Sequence, residues 1–126
     1  LPLGPQYFPE DALTDMPQRF IAAELIREKV FRNTGQEIPY SVAVTVDQFK
    51  EEPQKNRVVI DATIHVERDS QKGILIGQAG RKLKQIGQES RMEIERMVGC
   101  GVVLHLFVRV EKNWSRDPRS LKRFGY

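Results

Sequence analysis

In the segment Gly73–Lys84, with the sequence GILIGQAGRKLK, two glycines join an apolar run to a basic run. Gly77 and Gly80 have no Cβ atom, so the backbone can turn sharply there and a ligand's backbone can approach it closely. Three cations follow within one helical turn: Arg81, Lys82 and Lys84. We therefore predict a short helix over 70–76, a tight turn, and a second helix that begins near residue 81.

The charge of this segment indicates an anionic ligand. The first amides of a helix point outward with the positive end of the helix dipole behind them, which favours an anion. The same dipole disfavours cations in this turn, and a bound polyanion would explain why three cations are found there. The structural alternative is that the glycines serve only to turn the chain and that the basic run is a solvated face.

Two nucleotide-binding motifs are excluded in this segment. A Walker A loop needs Ser or Thr directly after its Gly-Lys pair, but Arg81 and Lys82 follow Gly80 with no hydroxyl after them. The Rossmann pattern also fails, because the glycines at 73, 77 and 80 have the wrong spacing and follow no strand. The segment therefore predicts no GTP site and no Mg²⁺ ligand.

Outside this segment, hydrophobic periodicity predicts a small α+β domain. Apolar residues recur every three or four positions in two long segments, which indicates helices, and alternate in three others, which indicates strands with one buried face. Gly35 and Gly99 are placed to end the two long helices. A polar stretch with Pro53, residues 51–56, reads as a hairpin loop. The predicted order is helix 15–35, strand 41–46, strand 60–66, helix 70–76, helix 81–99 and strand 102–110.

Composition limits the class of protein. The chain has 126 residues, enough for one domain, and 20 Lys and Arg against 17 acids give a net charge of +3. This charge permits a polyanionic partner without establishing one. The single Cys100 cannot form an internal disulfide, and no apolar run approaches the roughly 20 residues of a membrane span. The chain begins at Leu1 without Met, so we expect a piece of a longer polypeptide.

No catalytic or metal-binding pattern stands out. His65 and His105 lie on the polar-alternating faces of predicted strands, without Cys or carboxylates at ligand spacing. We expect them to be surface or hydrogen-bonded histidines. No paired carboxylates, Ser-His or Cys-His arrangement indicates an enzyme, so we predict a binding domain without a cofactor of its own.

The motif Ile76–Gly80, Ile-Gly-x-x-Gly between two helices, resembles that of a type II KH domain, in which a mixed three-stranded sheet backs three helices. Further segments resemble the C-terminal region of the Era family of bacterial GTPases. They are Tyr7–Asp11 (YFPED), Thr14–Asp15, Pro17–Phe20 (PQRF), Ala23–Lys29 (AELIREK), Lys84–Gly87 (KQIG), Val108–Trp114 (VRVEKNW) and Leu121–Tyr126 (LKRFGY). The resemblance covers nearly the whole chain.

The resemblance implies a function that composition does not show. Residues 1–15 would be an interdomain linker, and residues 16–126 a KH RNA-binding domain with a short helix after its last strand. Its partners would be single-stranded RNA from the 3′-end region of small-subunit ribosomal RNA, the small ribosomal subunit during assembly, and a GTPase domain in cis. That N-terminal domain, absent here, would hold GTP and Mg²⁺. The family also implies a cytoplasmic location, with peripheral association at the inner membrane.

The resemblance also implies which residues contact RNA. A clamp on the sugar-phosphate backbone would comprise Gly77, Gln78, Ala79 and Gly80, and an apolar groove Ile74, Ile76 and Ile86. Many KH loops place a cation between the glycines, whereas Gln78 and Ala79 are neutral, so phosphate neutralisation would fall to Arg81, Lys82 and Lys84. After the last strand, Lys112 and Trp114 could bind and stack a base, or Trp114 could simply cover the sheet edge.

Two other functions remain open from the residues alone. A degenerate KH fold could act as a protein-interaction scaffold, which would show no salt-dependent RNA affinity. The two helices around residues 77–80 could be a helix-turn-helix that reads duplex DNA, although the first helix is short and strands flank the pair.

Overall fold

The structure, a computed structural model, describes residues 15–35, 38 and 42–112. The predicted order of elements, helix, strand, strand, helix, helix, strand, is confirmed. The elements are α1 (Asp15–Thr34), β1 (Ala43–Glu52), β2 (Arg57–Val66), α2 (Asp69–Ile76), α3 (Arg81–Val98) and β3 (Gly101–Val110). Single 3₁₀ turns occupy Pro53–Lys55 and Gln78–Gly80. The architecture is α+β, with three helices on a three-stranded mixed sheet.

The sheet has the order β1-β2-β3. β1 and β2 are antiparallel neighbours, whereas β2 and β3 run parallel, with Arg57 opposite Gly101 and Val66 opposite Val110. A parallel pair needs a crossover connection, and α2, the turn and α3 supply it. β3 is therefore an edge strand, and the glycine turn lies within the crossover that leads to it.

The core lies between one face of the sheet and the helices. Alternate residues of β2 face it, and the apolar stripes of α1 and α3 meet them. The fully buried apolar side chains from these three elements are Ile60, Ala62, Ile64, Val66, Ala22, Ile26, Val30, Ile86 and Ile94. The alternation that predicted the strands thus also identifies the face of β2 that packs against the helices.

The hairpin loop is shorter than predicted. β1 extends to Glu52 and β2 begins at Arg57, so the loop contracts from residues 51–56 to Pro53–Lys55 with Asn56 in the left-handed region at φ 52°. Arg57 Nε donates to Glu52 Oε1 at 2.6 Å across the strand ends. The polar residues that indicated a loop belong to an exposed edge strand, where polarity does not interrupt backbone pairing.

Several predictions fall outside the described residues. α1 begins at Asp15, so the helix includes the last residue of the predicted linker, and the rest of that linker is not described. Trp114 and the predicted short C-terminal helix are also outside the described ranges. Among the helices of the described part, none is long and apolar enough to cross a membrane.

Candidate nucleic-acid interface

The turn between α2 and α3, residues 77–80, is referred to below as the Gly-x-x-Gly loop. Three of its residues have positive φ: Gly77 at 72°, Ala79 at 57° and Gly80 at 75°. The Gly77 N–H donates to the Gly73 carbonyl at 2.9 Å and ends α2. The side chains of Gln78 and Ala79 are exposed. The loop therefore presents mainly backbone to solvent.

The two glycines are needed for different reasons. A Cβ built on Gly77 would lie 2.7 Å from Lys82 Cβ, too close for any side chain, so this glycine lets the loop pack against the start of α3. A Cβ built on Gly80 would meet nothing within 4 Å. Gly80 therefore borders open space, where the backbone of a ligand can approach it.

The start of α3 favours an anion. The helix begins after Gly80 with no side-chain cap and no acidic residue in its first turn. Arg81 and Lys84 are exposed, and neither makes a side-chain hydrogen bond or ion pair within the described part of the chain. The helix dipole and both cations are therefore available to phosphate.

Lys82 is placed differently from the other two cations. Its side chain is half-buried, and its Nζ donates to the backbone carbonyl of Asn33 at 2.8 Å. This carbonyl lies at the C-terminal end of α1, where the helix dipole favours a cation. The position of the ammonium therefore favours a structural contact over the phosphate neutralisation that the resemblance implied.

A groove of about 420 Å³ runs from the loop between α3 and β3, and is called the α3–β3 groove below. Its lining comprises Gly80, Leu83, Lys84, Gly87, Gln88, Arg91, Leu104 and Leu106. Leucines supply an apolar surface, while Lys84 and Arg91 add positive charge; Arg91 Nη1 also donates to Glu95 Oε2 at 3.1 Å. An apolar surface beside cations suits bases attached to a charged backbone.

The apolar lining of this groove differs from the prediction. Ile86 is fully buried in the core, because its side chain lies on the stripe of α3 that faces the sheet. Ile74 and Ile76 are half-buried on α2 and are not among the described residues that line the groove. Ile86 is therefore corrected from a groove contact to a core residue, and roles for Ile74 and Ile76 stay predictions.

The sequence reasoning missed Leu104, Leu106 and Gly87. Alternation over residues 102–110 predicts that both leucines lie on a buried strand face, but β3 is an edge strand and both side chains stay half-exposed. Gly87 did carry a signal, because a glycine inside a helix costs about 1 kcal/mol relative to alanine. Its missing side chain leaves room in the groove wall, where a Cβ would lie 3.6 Å from Leu106 Cδ1.

Lys112 is exposed two residues after the end of β3, so its charge is accessible. Its predicted partner Trp114 lies outside the described residues. A joint role for the two in stacking and charge neutralisation therefore stays a prediction.

The two histidines contact carboxylates on the other face of the sheet. His65 is buried, with Nε2 2.8 Å from Thr45 Oγ1 and Nδ1 3.2 Å from Glu111 Oε1. His105 Nδ1 lies 2.8 Å from Asp61 Oδ1. Within residues 15–35, 38 and 42–112, no group of three or more His, Cys, Asp or Glu could hold a metal ion.

Comparison with known proteins identifies the family. The model of the KH domain family matches residues 37–115. Over all 126 residues the chain is 61% identical to the GTPase Era of Geobacter metallireducens and 55% identical to that of Syntrophus aciditrophicus. It spans 42% of the length of the first protein and 41% of the second, so it corresponds to less than half of these relatives.

Solved structures show the same fold. An Aquifex aeolicus Era variant bound to GDP·AlF₄⁻ matches with a TM-score of 0.83 and 42% identity, over 95% of this chain and 40% of that one. Era in complex with MgGDPNP and nucleotides 1506–1542 of 16S ribosomal RNA matches with the same score and identity, over 94% and 40%. The chain therefore belongs to the KH domain family, in the type II form that Era GTPases carry.

Proposed function

We propose that this chain is the RNA-binding domain of an Era-type GTPase and binds the 3′-end region of small-subunit ribosomal RNA as a single strand during ribosome assembly. The observation that carries the proposal is the α3–β3 groove, which begins at the Gly-x-x-Gly loop and has an apolar lining beside exposed cations. The match to an Era protein in complex with nucleotides 1506–1542 of 16S ribosomal RNA supports the choice of target.

The geometry accounts for single-strand binding in three steps. The sugar-phosphate backbone lies against the Gly-x-x-Gly loop, where Gly80 leaves open space. Arg81 and Lys84 neutralise phosphates near the positive end of α3. Unstacked bases then lie over Leu104 and Leu106, surfaces that paired bases within a duplex would not reach.

The remaining parts of the proposal concern the longer protein. GTP and Mg²⁺ bind in a GTPase domain in cis, which lies in the portion of the relatives that this chain does not cover. The proposed domain boundary lies between residues 15 and 16, next to the start of α1 at Asp15, with a linker before it. The small ribosomal subunit is the larger partner, and the location is the cytoplasm; peripheral association with the inner membrane stays a prediction of the resemblance.

A double substitution in the loop tests the RNA site. In Gln78→Asp/Ala79→Asp, two carboxylates replace neutral exposed side chains, and Asp tolerates the positive φ of residue 79. We expect the affinity for a labelled single strand with the 16S 3′-end sequence to fall at least tenfold, or about 1.4 kcal/mol, because the acids repel phosphate. The melting temperature should stay nearly constant. RNA titration at one salt concentration and a thermal melt measure both quantities.

The β1–β2 turn offers a matched control. Gln54→Asp/Asn56→Asp also adds two acids to an exposed 3₁₀ turn, which ends at a residue with positive φ. This turn lies far along the sheet from the Gly-x-x-Gly loop. RNA affinity should stay within twofold of wild type. If the loop variant keeps its affinity and stability, the loop is only a turn. Absence of salt-dependent RNA affinity in the wild type would favour the protein-interaction scaffold instead.

A further inference from the structure

Lys82 joins two parts of the fold that are distant in sequence. Its Nζ donates to the Asn33 carbonyl at the end of α1, 49 residues earlier in the chain. The last carbonyls of a helix have no partner within the helix, so a donor from elsewhere stabilises them. Lys82, in the first turn of α3, therefore supplies a hydrogen-bond donor to a carbonyl at the end of α1.

The acceptor is itself held in place. Asn33 Nδ2 donates to the Lys29 carbonyl at 2.7 Å and to Glu89 Oε1 at 3.1 Å. Glu89 Oε2 in turn accepts a hydrogen bond from Gln85 Nε2 at 3.1 Å. The end of α1 is thus bound to α3 at two points about two helical turns apart, through Lys82 and through Glu89.

The other side of Lys82 packs against the Gly-x-x-Gly loop. A Cβ at Gly77 would lie 2.7 Å from Lys82 Cβ and 3.1 Å from Lys82 N, so no side chain fits between them. The loop therefore rests on the Lys82 backbone, while the ammonium of the same residue is anchored to α1. Arg81 and Lys84, its neighbours along the chain, are exposed.

We propose that Lys82 is a positioning residue, whose ammonium anchors the Gly-x-x-Gly loop to the end of α1 and does not contact phosphate. Through this anchor, α1 sets where the loop presents its backbone. The effect on RNA affinity rests on the proposed function, whereas the anchor itself is a property of the protein without RNA and is tested separately.

Hydrogen exchange in the RNA-free protein tests the anchor. Lys82→Met keeps an unbranched stem and removes the donor, and Lys82→Arg keeps a donor. We expect the Gly80 amide, which donates to the Gly77 carbonyl at 3.3 Å, to exchange at least threefold faster in Lys82→Met and to recover in Lys82→Arg. Amides of β2 report global stability and should change little. Unchanged exchange at Gly80 in Lys82→Met would overturn the anchor.

The salt dependence of RNA affinity separates positioning from phosphate contact. Lys84→Met, the same substitution two residues further on, should reduce the log-log slope by about 0.7, because one phosphate contact is lost. Lys82→Met should lower the affinity at least threefold with an unchanged slope, and Lys82→Arg should restore the affinity. A slope reduced as in Lys84→Met, or an unchanged affinity, would overturn the positioning role.

The RNA titration and the hydrogen-exchange measurement distinguish a wrong proposed function from a wrong anchor. A wild-type protein that binds no single-stranded RNA would contradict the proposed function, and the exchange experiment would still decide whether Lys82 anchors the loop. Faster exchange throughout β2 in Lys82→Met would show a general loss of stability and would overturn a role specific to the loop.

Discussion

Gly87 lies in the middle of α3, where a glycine weakens a helix because its backbone loses more freedom on folding. Its position in the wall of the α3–β3 groove gives a reason for this cost, because a side chain there would occupy space open to a ligand. A Cβ atom at Gly77 would collide with Lys82, whereas a Cβ atom at Gly80 would meet nothing within 4 Å and would occupy open space beside the loop. At the scale of single residues, the site therefore depends on missing side chains as much as on charged ones.

Substitution of Gly87 tests this interpretation. In Gly87→Ala, the new Cβ makes an ordinary contact with Leu106, so we expect the free energy of unfolding to rise by about 0.5–1 kcal/mol. RNA affinity should fall at least threefold, because the methyl group narrows the groove. Urea unfolding and RNA titration measure the two changes.

Gly73→Ala is the matched control for this substitution. Gly73 is exposed on α2, and a Cβ there meets nothing within 4 Å. The control should gain stability without a change in RNA affinity. Equal affinities for Gly87→Ala and wild type would remove Gly87 from the RNA site.

At the scale of elements, α1 and α3 are joined by polar contacts along one side. The Lys29 ammonium, on a side chain only 4% exposed, contacts Glu93 Oε1 at 3.1 Å. That hydrogen bond holds the pKa of Lys29 above its usual value. Further towards the loop, hydrogen bonds from Asn33 and then from Gln85 hold the pKa of Glu89 below its usual value of 4.5. The contacts between the two helices therefore favour the ionised forms of Lys29 and Glu89.

The lowered pKa of Glu89 predicts an acid dependence. A carboxyl with a lower pKa in the folded state adds stability above its unfolded pKa, and this contribution is lost as pH falls through the folded value. We expect the melting temperature of wild type to fall more between pH 5 and pH 3 than that of Glu89→Gln, which has no such ionisation to lose. Thermal melts across this range measure the difference.

The control for the acid experiment is Glu51→Gln, which removes a carboxylate from an exposed position on β1. Its melting temperature should follow wild type over the same pH range. A Glu89→Gln profile parallel to wild type would show that the contacts of Glu89 add no pH-dependent stability.

At the scale of the whole molecule, the mixed sheet determines which surface is open. The parallel pairing of β3 with β2 leaves β3 at the edge, next to α3, and the groove forms between them. The helices that flank the loop belong to a crossover on this sheet, and residues 37–115 match the KH family. The helix-turn-helix interpretation is therefore wrong.

The charge of the groove predicts the salt dependence of RNA binding. Arg81, Lys84 and Arg91 are the exposed cations at the loop and along the groove. Three neutralised phosphates on a single strand correspond to a log-log slope of about −2, and we expect this value in titrations at several salt concentrations. A steep slope of about −4 would require twice as many phosphate contacts. A slope near zero would favour the protein-interaction scaffold.

Much of the fold follows from local patterns. Alternation predicted β2 and β3, and the glycines placed the ends of α2 and α3 correctly. The end of β1 was less predictable, because Glu51 and Glu52 are polar in an exposed edge strand as they would be in a loop. Edge strands pair on one side only, so their polarity carries little information about pairing.

The order of elements, the glycine turn and the cations beside it follow from local sequence alone, because neighbours within a few residues decide helix, strand and turn. Which of those cations are available to a ligand depends instead on contacts between segments that are distant in the chain. Lys82 and Lys84 are alike in sequence, yet Lys82 meets a carbonyl 49 residues away while Lys84 faces the groove. Likewise, Leu104 and Leu106 line the groove because strand order leaves β3 at the edge, and strand order depends on packing between segments that are distant in the chain.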